Sequence, residues 1–152
     1  MISDTTLTVL LPAFPLIAGL LGMLLAQGIK VLDQLRKHKR LIWRRLMAPG
    51  GMPSSHASLV TGLTASVGVQ YGWLSMPFSI CAVFSLVVLY DAAGVRYAAG
   101  RHATVLNHML KTFDNEQHEE LTESLGHTPF EIFIGILIGV ASVWGLCQLG
   151  FQ

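Results

Sequence analysis

His127 lies four residues before Glu131, and His56 closes the run Gly51-Met52-Pro53-Ser54-Ser55-His56. Four residues is a spacing at which two side chains meet along a helix face. A carboxylate so placed fixes the tautomer of a neutral imidazole and stabilises the cation formed when the ring attacks an electrophile. A second imidazole, His56, can protonate a departing alcohol oxygen. The cations Lys30, Arg96 and Arg101 can spread positive charge over phosphoryl oxygens. Ser54 and Ser55 bring hydroxyls to a helix N-terminus, whose orphan N–H groups suit an anion. Gly51 belongs to the turn that precedes them, and Asp91 stands near Arg96 as an ion-pair partner or a support of the site. These residue types permit phosphoryl transfer to a histidine, with no metal ion and no organic cofactor.

The elements that must position them follow from the apolar pattern. Leu7 to about Leu32 is roughly 25 residues of apolar chain, enough to span a bilayer, with Gln27 and Lys30 near its far end. Asp33 to Met47 interleaves six cations with Leu35, Leu41, Ile42, Trp43 and Leu46, the pattern of an amphipathic helix at a membrane interface. The next helix is expected from about Ser55 to Tyr71, capped by Ser54 or Ser55. Its Gly62 and Gly68 would let neighbouring membrane helices approach closely. A third span is expected from Phe78 to about Tyr97. Residues 102–124 are polar and acidic with an apolar stripe at Leu106, Met109, Leu110 and Phe113, which predicts a helical hairpin on the membrane surface. Thr128 as cap and Pro129 at the first helical position open a last span to about Leu149. The expected fold is all-α: one membrane-embedded domain over 1–152, a bundle of about four transmembrane helices with interfacial amphipathic helices.

Composition agrees. The chain is 52% hydrophobic and 12% charged, with a mean hydropathy of +0.55, and average soluble domains carry roughly twice that charge. Seven of the ten Lys and Arg residues fall between Lys30 and Arg45. The positive-inside rule places that segment in the cytoplasm and the N-terminus outside, in the cell (inner) membrane. Four polar clusters then fall on the cytoplasmic side: Lys30, the turn before His56, Asp91 to Arg101, and Gly126 to Glu131. The apolar N-terminal run lacks basic residues before it and a small-residue cleavage site, which favours a retained membrane helix over a signal peptide. Cys81 and Cys147 lie in apolar stretches and read as small hydrophobes. The bilayer is the expected partner and nucleic acid is not. Four spans make a thin wall around a site, which a homodimer would thicken.

The motifs carry a resemblance. Pro53-Ser54-Ser55-His56 resembles the Pro-Ser-Gly-His motif of the type 2 phosphatidic acid phosphatase and vanadium haloperoxidase superfamily, with Ser55 in place of glycine. His127-Thr128-Pro129-Phe130-Glu131 resembles the His-x3-Asp end of its third motif, with Glu in place of Asp. The runs Gly50 to His56, Tyr90 to Arg96 and Leu106-Asn107 are similar to those of its small divergent branch. The resemblance extends from Lys30 to Gly139. It implies His127 as nucleophile, Glu131 as its orienting acid and His56 as general acid, with phosphate held by Lys30, Ser54, Ser55 and Arg96. There are departures from the pattern. Leu121 occupies the place of the arginine six residues before the nucleophile, and Lys30 lacks the Arg-Pro partner of the first motif. Arg96 and His102 keep the arginine-to-histidine spacing, but Leu106 stands where the acid belongs. His102 is therefore a rival nucleophile; His127 is preferred because it keeps the acid and starts a span.

The leading expectation is a metal-independent membrane phosphatase acting on a lipid phosphate or pyrophosphate through a phosphohistidine. The alternative is a non-catalytic membrane protein that binds phosphate headgroups at a degenerate phosphatase site. A metal-dependent phosphatidyl-type transferase needs several spaced aspartates, and Asp91 is the sole acid between Asp33 and Asp114.

Overall fold

The computed structural model describes residues 13–38, 50–113 and 120–151. It is a helical membrane bundle. Helix α1 spans Phe14–His38, α2 Ser55–Tyr71 and α3 Met76–Tyr90. A π-helical turn over Asp91–Val95 leads without a break into α4, Arg96–Phe113, and α5 covers Pro129–Gln148. Three stretches are long and apolar enough to cross a membrane: Phe14–Arg36, the continuous helix Met76–Thr112, and Pro129–Gln148. The 17 residues of α2 rise about 26 Å.

Helix α2 is the centre of the bundle, packed against α1, α3 and α5, and α1 also packs on α5. It has no single apolar stripe. Small residues surround it, and its buried positions include Ser55, Ala57, Ser58, Gly62, Ser66 and Gly68. A Cβ on Gly62 would meet Ala18 O at 2.9 Å, and one on Gly139 would meet Ser58 O at 2.6 Å. Backbones at that separation leave no room for side chains, so hydroxyls join the helices instead. Ser58 Oγ donates to Gly135 O at 2.8 Å, Ser85 Oγ to Val60 O at 3.1 Å, and Ser142 Oγ to Ala18 O at 3.1 Å. Close van der Waals packing and interhelical hydrogen bonds are what bind helices where lipid removes the hydrophobic drive. The outer faces of α1, α3 and α5 are the inverse, apolar and exposed at Leu24, Val83, Phe84, Leu86, Phe133 and Trp144.

Two apolar clusters mark the ends of the bundle. Phe14, Ala18, Val143 and Leu146 pack at one end, where α1 begins and α5 finishes. Ala57, Ala92 and Ile132 pack at the other, where α2 and α5 begin beside the π turn. The polar site sits on this second cluster.

Three expectations change. The third span does not end near Tyr97; the helix continues through the π turn to Phe113. The helical hairpin expected over 102–124 keeps a helical first arm, the end of α4, but residues 120–128 return along α4 without helical structure, and 114–119 lie outside the described residues. Asn107 holds that limb: its Nδ2 donates to Leu121 O at 2.9 Å and Glu123 Oε1 at 2.8 Å, and its Oδ1 accepts from Leu121 N at 3.0 Å. Gly100 admits the limb's backbone, since a Cβ there would lie 2.7 Å from both Glu123 O and Leu125 O. Residues 33–38 extend α1 rather than starting a new helix, and the rest of the expected interfacial helix, 39–47, lies outside the described residues.

Candidate functional site

The helix starts come first. Ser54 caps α2, its Oγ accepting from Ala57 N at 3.3 Å. Thr128 caps α5 in a reciprocal box: Thr128 Oγ1 accepts from Glu131 N at 3.3 Å, and Glu131 Oε2 accepts from Thr128 N at 2.9 Å. The two starts are tied together, because Ser54 N donates to Glu131 O at 3.1 Å. One backbone bond thus sets the His56 end of α2 against the Glu131 end of α5.

The π turn supplies the third fixed point. Arg96 N–H bonds back to Asp91 O, five residues away, rather than to Ala92 O as an α-helix would have it. Ala92 O instead accepts from His127 N at 3.0 Å. Gly126, with φ +80°, makes the turn that brings His127 there. The imidazole is buried, and its Nδ1 lies 3.4 Å from Glu131 Oε2. That is longer than a formed hydrogen bond, a gap that catalytic pairs commonly close when substrate binds. Nδ1 makes no hydrogen bond. A proton on Nδ1 shared with Glu131 leaves the Nε2 lone pair for an electrophile.

These elements enclose a cavity of about 40 Å³ lined by Gly50, His56, Val88, Asp91, Ala92, Arg96, Gly126 and His127. That volume holds on the order of a few waters; a phosphoryl group fits it and a whole lipid does not. Asp91 pairs with Arg96 Nε, which leaves the terminal guanidinium nitrogens to a ligand. Lys30 Nζ donates to Gly50 O at 3.1 Å and so ties α1 to the turn. Burial, then the Lys30 ammonium, hold His127 below the usual imidazole range against the opposing pull of Glu131; His56 adds to the lowering. His127 is the neutral form near pH 7.

The structure therefore brings together His127, Glu131, His56, Arg96 and Asp91, with Lys30 one contact away at Gly50. It does not bring in Arg101, which is exposed on α4 and about 140° around the helix from Arg96. Ser54 and Ser55 are buried beneath the site and off the cavity wall; Ser54 serves as the cap. Gly51, at φ +82°, is exposed with open space around it, and its neighbour Gly50 lines the cavity instead. His102 is exposed on α4 and off the cavity. Leu121, in the place of the motif arginine, is held by Asn107 on the return limb. Two contributions went unread in the sequence, the Ala92 carbonyl and the Asn107 clamp. The five-residue spacing of Asp91 and Arg96 was the available sign of the first.

A family model described as the divergent PAP2 family matches residues 11–142. The chain is also 37% identical over 145 residues to the uncharacterized membrane protein YuiD of Bacillus subtilis (strain 168), covering 86% of this chain and 92% of that one. No solved structure matches. With the match running from the start of α1 into the second half of α5, across every element that lines the cavity, the chain belongs to the divergent PAP2 family.

Proposed function

We propose that the protein, as a single domain over 1–152, hydrolyses a lipid phosphate or pyrophosphate monoester without a divalent metal. The observation that carries this reading is the buried His127 facing the Glu131 carboxylate at 3.4 Å on a cavity shared with His56 and Arg96. His127 Nε2 attacks phosphorus, the N–P bond forms as the P–O bond to the alcohol breaks, and Glu131 stabilises the resulting imidazolium. Protonated His56 gives its proton to the departing oxygen. Water then attacks phosphorus, its proton returns to His56, the N–P bond breaks and inorganic phosphate leaves. Arg96, oriented by Asp91, faces the phosphoryl oxygens. Lys30 supplies a further positive charge behind the turn.

The site faces the cytoplasm in this reading, with the N-terminus outside, in the cell membrane. The test is phosphate release by the detergent-purified protein without divalent metal, from phosphatidic acid, phosphatidylglycerol phosphate and polyprenyl pyrophosphate. Release should fall by a factor on the order of 10² or more in His127→Ala and in His56→Ala. Undiminished release in both variants would sink the mechanism. A second reading is favoured by one observation: Leu121 removes an arginine from the motif, and Arg96 is already paired with Asp91. It holds that the cavity binds phosphate headgroups without turnover. Lipid phosphate binding with no release, insensitive to His127→Ala and lost in Arg96→Ala, would select it.

A further inference from the structure

Asp91 is out of place in a site for an anion. It lines the phosphoryl-sized cavity beside Arg96, His56 and His127, and a carboxylate there repels the group that the cations attract. The charges around the cavity come from each element packed on it. Asp91 opens the π turn and Arg96 opens α4, the two paired through Oδ2 and Nε. Glu131, from α5, stands 3.4 Å behind His127 Nδ1. Lys30, from α1, reaches the cavity wall at Gly50 O, 3.1 Å away. Helix α2 supplies His56 and the return limb His127. Charges farther off are engaged elsewhere or balanced. Lys111 pairs with Glu120, and Glu123 is held by Thr104 and Asn107. Arg101 lies off the cavity, and Asp33 and Arg36 on α1 add one charge of each sign.

Among the described residues the site therefore sets two cations, Lys30 and Arg96, against two carboxylates, Asp91 and Glu131. With His56 protonated, as transfer to an alcohol oxygen requires, the sum is a single positive charge. A phosphoryl group with one negative charge balances it. A fully ionised monoester carries two, and the excess would stand beside two carboxylates in a partly buried pocket, where uncompensated charge is costly. Leu121 stands where the related motif carries the arginine that would balance the second charge. We propose that the cavity selects the singly charged, protonated form of a phosphate monoester, and that Asp91 sets this preference besides aiming Arg96. The proposal rests on the reading of the cavity as a phosphoryl site, catalytic or not.

Two measurements test it, and neither needs turnover. Asp91→Asn removes the charge and keeps an oxygen for the Arg96 Nε–H. The probes are butylphosphonate, doubly charged above its second ionisation, and butylsulfonate, its tetrahedral counterpart with one charge; neither has an ester bond to hydrolyse. Titration calorimetry of the full chain in detergent, at a pH above that ionisation, gives Kd for each. Coulomb energy is proportional to ligand charge, so a gain of about threefold for the sulfonate in Asp91→Asn becomes about tenfold for the phosphonate. An equal gain for both, no change, or the weaker binding of both that loss of the Arg96 aim alone would give, overturns the charge assignment and leaves the phosphoryl reading standing. Binding of neither probe to either protein removes the phosphoryl reading and this inference with it.

The second measurement uses the wild type alone, so it holds even where Asp91→Asn does not fold. Repeating the titrations in buffers of different ionisation heat counts the protons taken up with each ligand. The phosphonate should carry about one proton more into the complex than the sulfonate. Equal uptake overturns the proposal.

Discussion

Gly126→Ala is the sharpest test of how the site is held. The residue has φ +80°, and a Cβ there would lie 2.3 Å from Tyr97 N, 2.6 Å from Tyr97 Cα and 2.7 Å from Arg96 C. All three are backbone atoms at the junction of the π turn and α4, so no side chain can swing aside. The limb must retreat by on the order of 1 Å to restore van der Waals contact. The left-handed backbone itself costs an alanine about 1–2 kcal/mol. The retreat also stretches the 3.0 Å bond from His127 N to Ala92 O, worth about 1 kcal/mol. A total destabilisation of roughly 2–4 kcal/mol is expected. A misplacement of about 1 Å at a nucleophile lowers turnover on the order of 10²-fold. Thermal unfolding in detergent and phosphate release from a lipid phosphate would be measured side by side. Gly145→Ala is the control, since its Cβ would meet nothing within 4 Å; its unfolding midpoint should match the wild type or exceed it slightly. A Gly126→Ala protein with wild-type midpoint and wild-type release would refute the account of the limb as the holder of His127.

Three further outcomes are expected. In the proposed mechanism His127 attacks only when neutral, and its surroundings lower its pKa from the usual value near 6.5. The rising limb of the pH profile should therefore have its midpoint below that value, and release should fall again at higher pH as His56 loses the proton it gives to the departing oxygen. Glu131→Gln, which removes the one raising influence, should move the midpoint lower still; a midpoint that moves upward would contradict the pairing. Asn107→Leu removes three hydrogen bonds from the return limb and should cost about 1–3 kcal/mol, with faster hydrogen exchange at Leu121 N–H; unchanged exchange would mean the clamp is idle. Leu74→Cys, at a turn position 99% exposed, should react with a membrane-impermeant thiol reagent added from outside the cell, and protection there would reverse the orientation.

What could be read from the sequence was what depends on neighbouring residues. Thr128, Pro129 and Glu131 announce a helix start within four positions, because a capping box is closed by its own turn; the box is there. Ser54 does the same for α2. The last span, Pro129–Gln148, followed from its apolar run, whereas the third ran on past its expected end near Tyr97. The gathering of His56, Arg96 and His127 followed from topology, since helices of fixed length that cross and recross must return their polar ends to the same side. Long-range backbone contacts were not legible. Residues 120–128 carry no pattern that says they will lie extended along α4, because the instruction resides in Gly100 and Asn107, some twenty residues earlier, acting on carbonyls that any sequence possesses.

The π turn is the instructive case. Asp91 and the two arginines after it look like the polar end of a span, and a polar end suggests that the helix stops. In an α-helix, residues five apart are separated by about 140° around the axis, so Asp91 and Arg96 would not face each other. The chain needs the acid paired, because a carboxylate at the membrane edge is costly alone. Widening one turn meets that need, since five residues then share one hydrogen-bonded loop and the carboxylate reaches Arg96. The same widening turns Ala92 O outward to accept His127 N. One local adjustment thus neutralises the acid, aims the arginine and fixes the backbone of His127. A helix that merely ended at Asp91 would do the first of these and leave His127 without its anchor.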